Sequence, residues 1–360
     1  MKIANIVKNR GGLSQKLGAA LLNALPELLP SLRVMRAAAA EGAGPSRHLL
    51  AVVRTPSGRR RTLCVDVRAA SAPSRLPHAL RQLTARYARK AGAYPVLAST
   101  FLSPRARELC REEGVGYLDL AGNCLLQFDD FYLQKIVDRN PFPARGRPPS
   151  LFSPVSSRIL RALLEEPTRT WRVLDVASEA QVSLGQASNV CRRLVDEAYA
   201  ARTDRRFRLT QPAKLLDAWR EAYTISQNTQ AAYYSFERGA EPLVHRVAAI
   251  AGERGWRYAV TSFAAASMVA PFVHGIGTVQ WYCGEETPME QWVQALDLRP
   301  VESGPNVVLL GPYDPGVFHR TQTVEGVTLV GNIQLYLDLS SDPGRGREQA
   351  EFLRRQKLSF

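Results

Sequence analysis

The stretch Ser183-Leu184-Gly185-Gln186-Ala187-Ser188-Asn189-Val190-Cys191-Arg192-Arg193 sits within residues 153–215 and decides how the chain is read. Its Leu184, Ala187, Cys191, Leu194, Val195 and Ala198 recur at about 100 degrees per residue, which predicts a helix with one apolar face. Ser183 stands where a hydroxyl can cap it. The opposite face holds Gly185, Gln186, Asn189, Arg192 and Arg193, so it is small at its start and cationic at its end. Upstream, Ile159, Leu160, Leu163 and Leu164 predict a first short helix ending near Pro167, and Val173, Leu174, Val176 and Ala177 a second. Downstream, Tyr199–Arg202 and Arg206–Thr210 flank Thr203-Asp204-Arg205 as a hairpin carrying Arg202, Arg205, Arg206 and Arg208. Three helices and a basic hairpin, in that order, are expected to form a winged helix-turn-helix.

That order implies a chemistry. A helix fits the major groove, where base edges carry distinguishable donors and acceptors, while flanking cations hold phosphates. Gln186 and Asn189 suit adenine or mixed edges, and Arg192, Arg193 and the hairpin arginines suit phosphates. Double-stranded DNA is therefore the expected partner, contacted by Ser183, Gly185, Gln186, Ser188, Asn189, Arg192, Arg193, Arg202, Arg205, Arg206 and Arg208. The competing reading is a helical linker with a solvated arginine face.

Charge is distributed unevenly around this unit. Residues 1–150 hold 24 Lys and Arg against 10 Asp and Glu, residues 151–215 hold 11 against 7, and residues 216–360 hold 12 against 16. A polyanion suits the first two segments and a different partner the acidic third. No run of about 18 apolar residues indicates a membrane span, and no secretory signal is read, so a cytoplasmic location without membrane partner is expected. Cys64, Cys110, Cys124, Cys191 and Cys283 are scattered and read as buried thiols, with no metal site and no cofactor expected.

The expected architecture is α/β and multidomain. Residues 1–140 form a basic α/β domain, 141–150 a Pro/Arg linker, 151–215 the winged helix and 216–360 a second α/β domain. In the first, Leu13–Leu32 reads as helical, His48–Arg54 and Thr62–Arg68 as a hairpin, Pro77–Ala91 as a helix, Tyr94–Ser99 as a strand, Ser103–Glu113 as a helix, and Tyr117–Leu120 with Cys124–Phe128 as a strand pair. Asp119, Gly122 and Asn123 read as a polar turn. In the last, helices are expected at Ala240–Arg254, Ala264–Val269, Met289–Ala295 and Arg345–Leu358. Strands are expected at Trp256–Thr261, Thr278–Tyr282, Asn306–Leu310 and Thr328–Val330. Ser262 and Asp338 do not supply the paired carboxylates a nucleotidyltransferase needs. Gly344 and Gly346 lack a following Walker lysine, so they read as a helix N-terminal turn.

The strand Val65-Asp66-Val67-Arg68 inside this pattern resembles the restriction-endonuclease-like nuclease fold. The resemblance implies a carboxylate at Asp66 for a divalent metal, with Arg68 standing where those nucleases place a lysine. Arginine suits that place poorly, so no catalytic residue is assigned and a DNA-binding relic is expected. The alternative is a metal-dependent nuclease using Asp66 and Arg68.

A second resemblance rests on Leu209-Thr210-Gln211-Pro212, Ala213–Trp219, Tyr258-Ala259-Val260-Thr261, Gln334–Leu339 and Gly344–Ala350. Together these phrases resemble the AbiEi-type regulators, the antitoxins of type IV toxin-antitoxin systems, over roughly residues 95–355. It implies a winged-helix repressor of its own operon, joined to a C-terminal domain that opposes a nucleotidyltransferase-like toxin without needing to bind it directly. A homodimer stays open.

Overall fold

The computed structural model describes residues 13–40, 47–68, 72–88, 90–137, 140–142, 150–204 and 206–360. Most of the expected Pro/Arg linker, residues 143–149, lies outside the described residues. The architecture is mixed α/β, in two compact units: residues 1–147 with 194–198, and residues 148–193 with 199–360.

The first unit is built on a seven-stranded sheet in sequence order. Helix α1 (Leu13–Leu28) precedes β1 (Arg33–Ala40), β2 (Arg47–Arg54) and β3 (Arg60–Val67). Helix α2 (Leu76–Tyr87) leads to β4 (Ala93–Ser99), and α3 (Pro104–Glu112) to β5 (Gly116–Asp119), β6 (Cys124–Phe128) and β7 (Phe131–Lys135). The α2 and α3 crossovers make β3, β4 and β5 parallel, and hairpins make the rest antiparallel. Alternation along β3 and β4 divides the core. Leu17, Leu21, Leu25 and Leu29 pack on Val65, Val96 and Ala98, while Leu80, Leu83 and Leu109 pack on Leu97 and Tyr117 from the other face. Ser103 caps α3 by accepting the Ala106 N–H at 3.3 Å.

The Asp119 turn is a closed polar unit. Its carboxylate accepts N–H groups from Leu102 (2.8 Å), Ala121 (3.0 Å) and Asn123 (2.9 Å), and the Asn123 amide at 2.8 Å. Burial pushes this carboxyl above the usual range, and those bonds oppose the shift. Asn123 in turn accepts from Arg107 at 2.7 Å.

The second unit opens with α4 (Pro154–Glu165), β8 (Trp171–Arg172), α5 (Val173–Glu179), α6 (Leu184–Asp196, of which the residues from Leu194 on are counted with the first unit), β9 (Ala200–Thr203) and β10 (Arg206–Leu209). The three strands form a small sheet ordered β8-β10-β9. Helix α7 (Pro212–Ala222) leads into β11 (Thr229–Tyr234), α8 (Ala240–Arg254), β12 (Tyr258–Thr261), α9 (Ser262–Val269), β13 (Val279–Cys283) and α10 (Met289–Ala295). After these come β14 (Arg299–Pro300), β15 (Val307–Gly311), β16 (Gln322–Val324), β17 (Val327–Leu329), α11 (Asn332–Ser340) and α12 (Gly346–Lys357). The large sheet is ordered β14-β11-β15-β13-β12-β17-β16. Residues Ile333–Leu339 of α11 are buried all round, as expected of a helix enclosed by other elements.

A buried polar chain joins α4 to this second sheet. Asp338 accepts hydroxyls from Thr261 (2.6 Å), Tyr223 (2.6 Å) and Tyr282 (3.0 Å), and the Gln334 amide N–H at 2.8 Å. The Gln334 carbonyl accepts from Arg161 Nε at 3.1 Å, and Arg161 also donates to Ser157 Oγ at 2.8 Å. Its guanidinium lies 5.0 Å from the Trp219 ring centroid. Arg161 and Asp338 are each 1% exposed, so opposite charges are buried together through one amide. Burial pushes the Asp338 carboxyl up against the pull of its four donors, and pushes Tyr223 and Tyr282 up too, so both tyrosines remain neutral donors. Nearer the surface, Arg158 forks onto Asp314 (2.8 Å through Nε and Nη2), and Arg320 reaches Glu166 and Glu179.

All five cysteines are free and buried, and burial pushes the Cys110, Cys124, Cys191 and Cys283 thiols up to about 12. Among the described residues no helix is long and apolar enough to cross a membrane.

Replacing Asp338 by alanine strands four buried donors and is expected to lower stability by about 3–5 kcal/mol in urea unfolding. Glu351→Ala, which removes a half-exposed partner of Arg220, should change it by less than about 1 kcal/mol.

Candidate nucleic-acid interface

Helix α6 begins with a reciprocal cap. Gln186 N donates to Ser183 Oγ at 3.2 Å, while Ser183 N and Oγ donate to Gln186 Oε1 at 3.3 and 3.1 Å. Farther along, Arg192 Nη2 donates to Asn189 Oδ1 at 2.8 Å. Both amide oxygens therefore accept a bond within the helix.

Ala187, Val190, Cys191 and Leu194 form the buried side of α6. Ser183, Gly185, Gln186, Ser188 and Arg192 are exposed, and Asn189 and Arg193 half-buried. Leu184 departs from expectation. Periodicity places it on the apolar face, yet it is 54% exposed, because it is the first helical residue and has no preceding turn of α6 beside it.

Gly185 and Gly346 contrast usefully. A Cβ on Gly346 would lie 2.1 Å from the Leu339 carbonyl, so the approach of α12 to α11 requires glycine there. Asp342 Oδ1 accepts the Gly344 and Gly346 N–H groups at 2.9 and 3.2 Å, which makes this stretch a helix-entry turn. A Cβ on Gly185 would meet nothing within 4 Å. The fold itself does not ask for glycine at this exposed helical position, where it weakens the helix.

Register assigns the arginines of the small sheet to two faces. Arg206 pairs with both Arg172 and Thr203, and Arg208 with Ala201, whereas Phe207 pairs with Trp171 and Arg202. Partners across a ladder share a face. Arg172, Arg206 and Arg208 therefore stand together, opposite the side of Trp171 and Phe207, and line an open concavity of about 1000 Å³ with Thr170 and Thr203. Arg202 belongs to the other face, and its Nε donates to the Asp204 carbonyl at 3.2 Å. Arg205 lies outside the described residues. Sequence reading missed Arg172, whose place beside Arg206 depends on a two-residue strand far earlier in the chain.

In the first unit, Asp66 and Arg68 are brought together, with Arg68 Nε donating to Asp66 Oδ2 at 2.8 Å. Asp66 is 3% exposed. His48 pairs with Asp66 across the β2–β3 ladder and meets Arg86 at 2.8 Å. Burial pushes the His48 imidazole below its ordinary value. Among the described residues no three His, Cys, Asp or Glu side chains are grouped to hold a metal ion.

Residues 208–359 match the family described as "Transcriptional regulator, AbiEi antitoxin, Type IV TA system". This agrees with the resemblance carried by Leu209–Trp219, Gln334–Leu339 and Gly344–Ala350. None of the curated proteins matches the chain. Among solved structures it is similar to "Structure of EndoMS in apo form", at 18% identity and a TM-score of 0.23, over 30% of this chain and 45% of that one. The chain thus spans less than half the length of that protein.

Two substitutions check the helix geometry by thermal or urea unfolding. Gly185→Ala is expected to raise stability by about 0.5–1 kcal/mol, since the added methyl meets no neighbour. Ser183→Ala should lower it by about 1 kcal/mol through loss of the cap.

Proposed function

We propose that the chain is a DNA-binding transcriptional regulator of antitoxin type, whose residues 151–215 act as a winged helix-turn-helix. The observation carrying this reading is the exposed Gly185–Arg193 face of α6 in the same unit as an arginine-lined hairpin sheet. Helix α6 enters the major groove, with Gly185 admitting close approach of backbone to base edges and Ser188, Gln186 and Asn189 offering hydrogen bonds. Arg172, Arg206 and Arg208 lie against phosphates, and Arg192 adds a cation at the far end of the helix. The description attached to the family matched by residues 208–359 supports the regulatory part. The toxin, opposed indirectly, belongs to this proposal. So do a restriction-endonuclease-like fold for residues 1–140 and a cytoplasmic location.

For that first domain we propose DNA contact without cleavage. A metal-dependent nuclease would need Asp66 available to a divalent cation, and Arg68 instead neutralises it at 2.8 Å. One carboxylate is thin ligation for magnesium.

Gel-shift titration against the protein's own upstream DNA, with a plasmid nicking assay alongside, tests both statements. Binding should fall steeply with salt. The slope of log K against log salt should become shallower by about 0.9 for each of Arg172, Arg206 and Arg208 changed to alanine. Gly185→Ala should weaken selective binding by roughly tenfold, the scale of one lost base contact, while leaving the salt slope unchanged. No magnesium- or manganese-dependent nicking is expected. Cleavage abolished by Asp66→Ala would establish the nuclease instead.

A further inference from the structure

We propose that Leu184 is a specificity-determining residue, reading a thymine through its C5 methyl group. This rests on the DNA-reading function proposed above and says which base the helix entry recognises.

Leu184 is the first residue of α6, directly after the Ser183 cap, and is 54% exposed. A single exposed leucine is ordinary on a protein surface, so exposure alone does not point to a ligand. Its setting does. It adjoins Gly185, where open space lies over the backbone, and stands one helical turn before Ser188. Arg192 lies on the exposed side of the same helix, and Arg172, Arg206 and Arg208 line a concavity of the same unit. These cations of the same unit complement duplex DNA.

In this docking mode the first residues of the inserted helix reach base edges. Of the groups displayed in the major groove, the thymine C5 methyl is the one an aliphatic side chain can cover. A polar neighbour points the same way. Ser188, four residues on and on the same side of α6, is exposed and carries a hydroxyl that can donate. Thymine presents an acceptor, O4, next to its methyl. The Ser188 hydroxyl and the Leu184 side chain, neighbours one helical turn apart, match that pair of groups.

The test uses the full-length protein and duplexes enriched by it from a random-sequence pool. Each thymine of the enriched site is replaced in turn by deoxyuridine, which removes the methyl and keeps the hydrogen-bonding edge. At one position per bound helix the replacement should weaken wild-type binding about fourfold, the worth of one buried carbon. Leu184→Ala should bind thymine and deoxyuridine duplexes equally, at the wild-type level for deoxyuridine, and Leu184→Met should keep the discrimination. Both variants should melt with the wild type, since the side chain is exposed. Leu174→Ala, which removes a leucine 66% exposed on α5, should retain the full methyl effect. Enrichment of a sequence with no deoxyuridine-sensitive position, or a full penalty persisting in Leu184→Ala, overturns this assignment alone. Failure to enrich any sequence overturns the DNA-reading function and this assignment with it.

Discussion

The Arg161–Gln334–Asp338 chain is the constraint on which the second unit depends. Arg161 belongs to the first helix of the proposed winged helix, and Gln334 and Asp338 to α11 beneath the large sheet. An arginine this deeply buried is tolerated only where charge and hydrogen bonds are answered. Here one amide serves both ends, its oxygen turned to the guanidinium and its nitrogen to the carboxylate. Three hydroxyls complete the acceptor. Because every member needs the next, the chain ties α4 to α11 within the second compact unit.

This has a functional consequence. A groove-reading helix is useful only if its neighbours hold its angle. In this chain α4 is fixed at its buried side by Arg161 and nearer the surface by Arg158 on Asp314, while Glu179 of α5 meets Arg320. The family match begins at residue 208, inside the hairpin, and runs to 359. The matched segment therefore includes only the last two residues of the return strand of the proposed wing, Arg208 and Leu209, together with the residues that follow it.

Much of this was legible in the sequence, and the rest was hidden for definite reasons. Helix α8 falls at Ala240–Arg254 and α10 at Met289–Ala295, as their patterns predict. Strand β1 escaped because Arg-Val-Met-Arg followed by four alanines carries no strand signature. Strands β7, β11, β14 and β16 are partly exposed or only a few residues long, and such strands show little alternation. Within the candidate interface, the polar face of α6 followed from periodicity. The exposure of Leu184 did not, since periodicity fixes direction and not how far the core extends. Arg172 was missed because ladder register, which joins it to Arg206, is a tertiary fact. The Asp338 chain was hidden too, for a helix buried on every side has no polar stripe to single out its hydrogen-bonded carboxylate.

Hydrogen exchange of the full chain, with and without an enriched duplex, tests the central claim most directly. The account predicts slowed exchange in residues 183–193 and 200–209 on DNA binding, with residues 240–254 of α8 unchanged. Protection confined to the C-terminal domain, with the α6 amides exchanging as in the free protein, would contradict it.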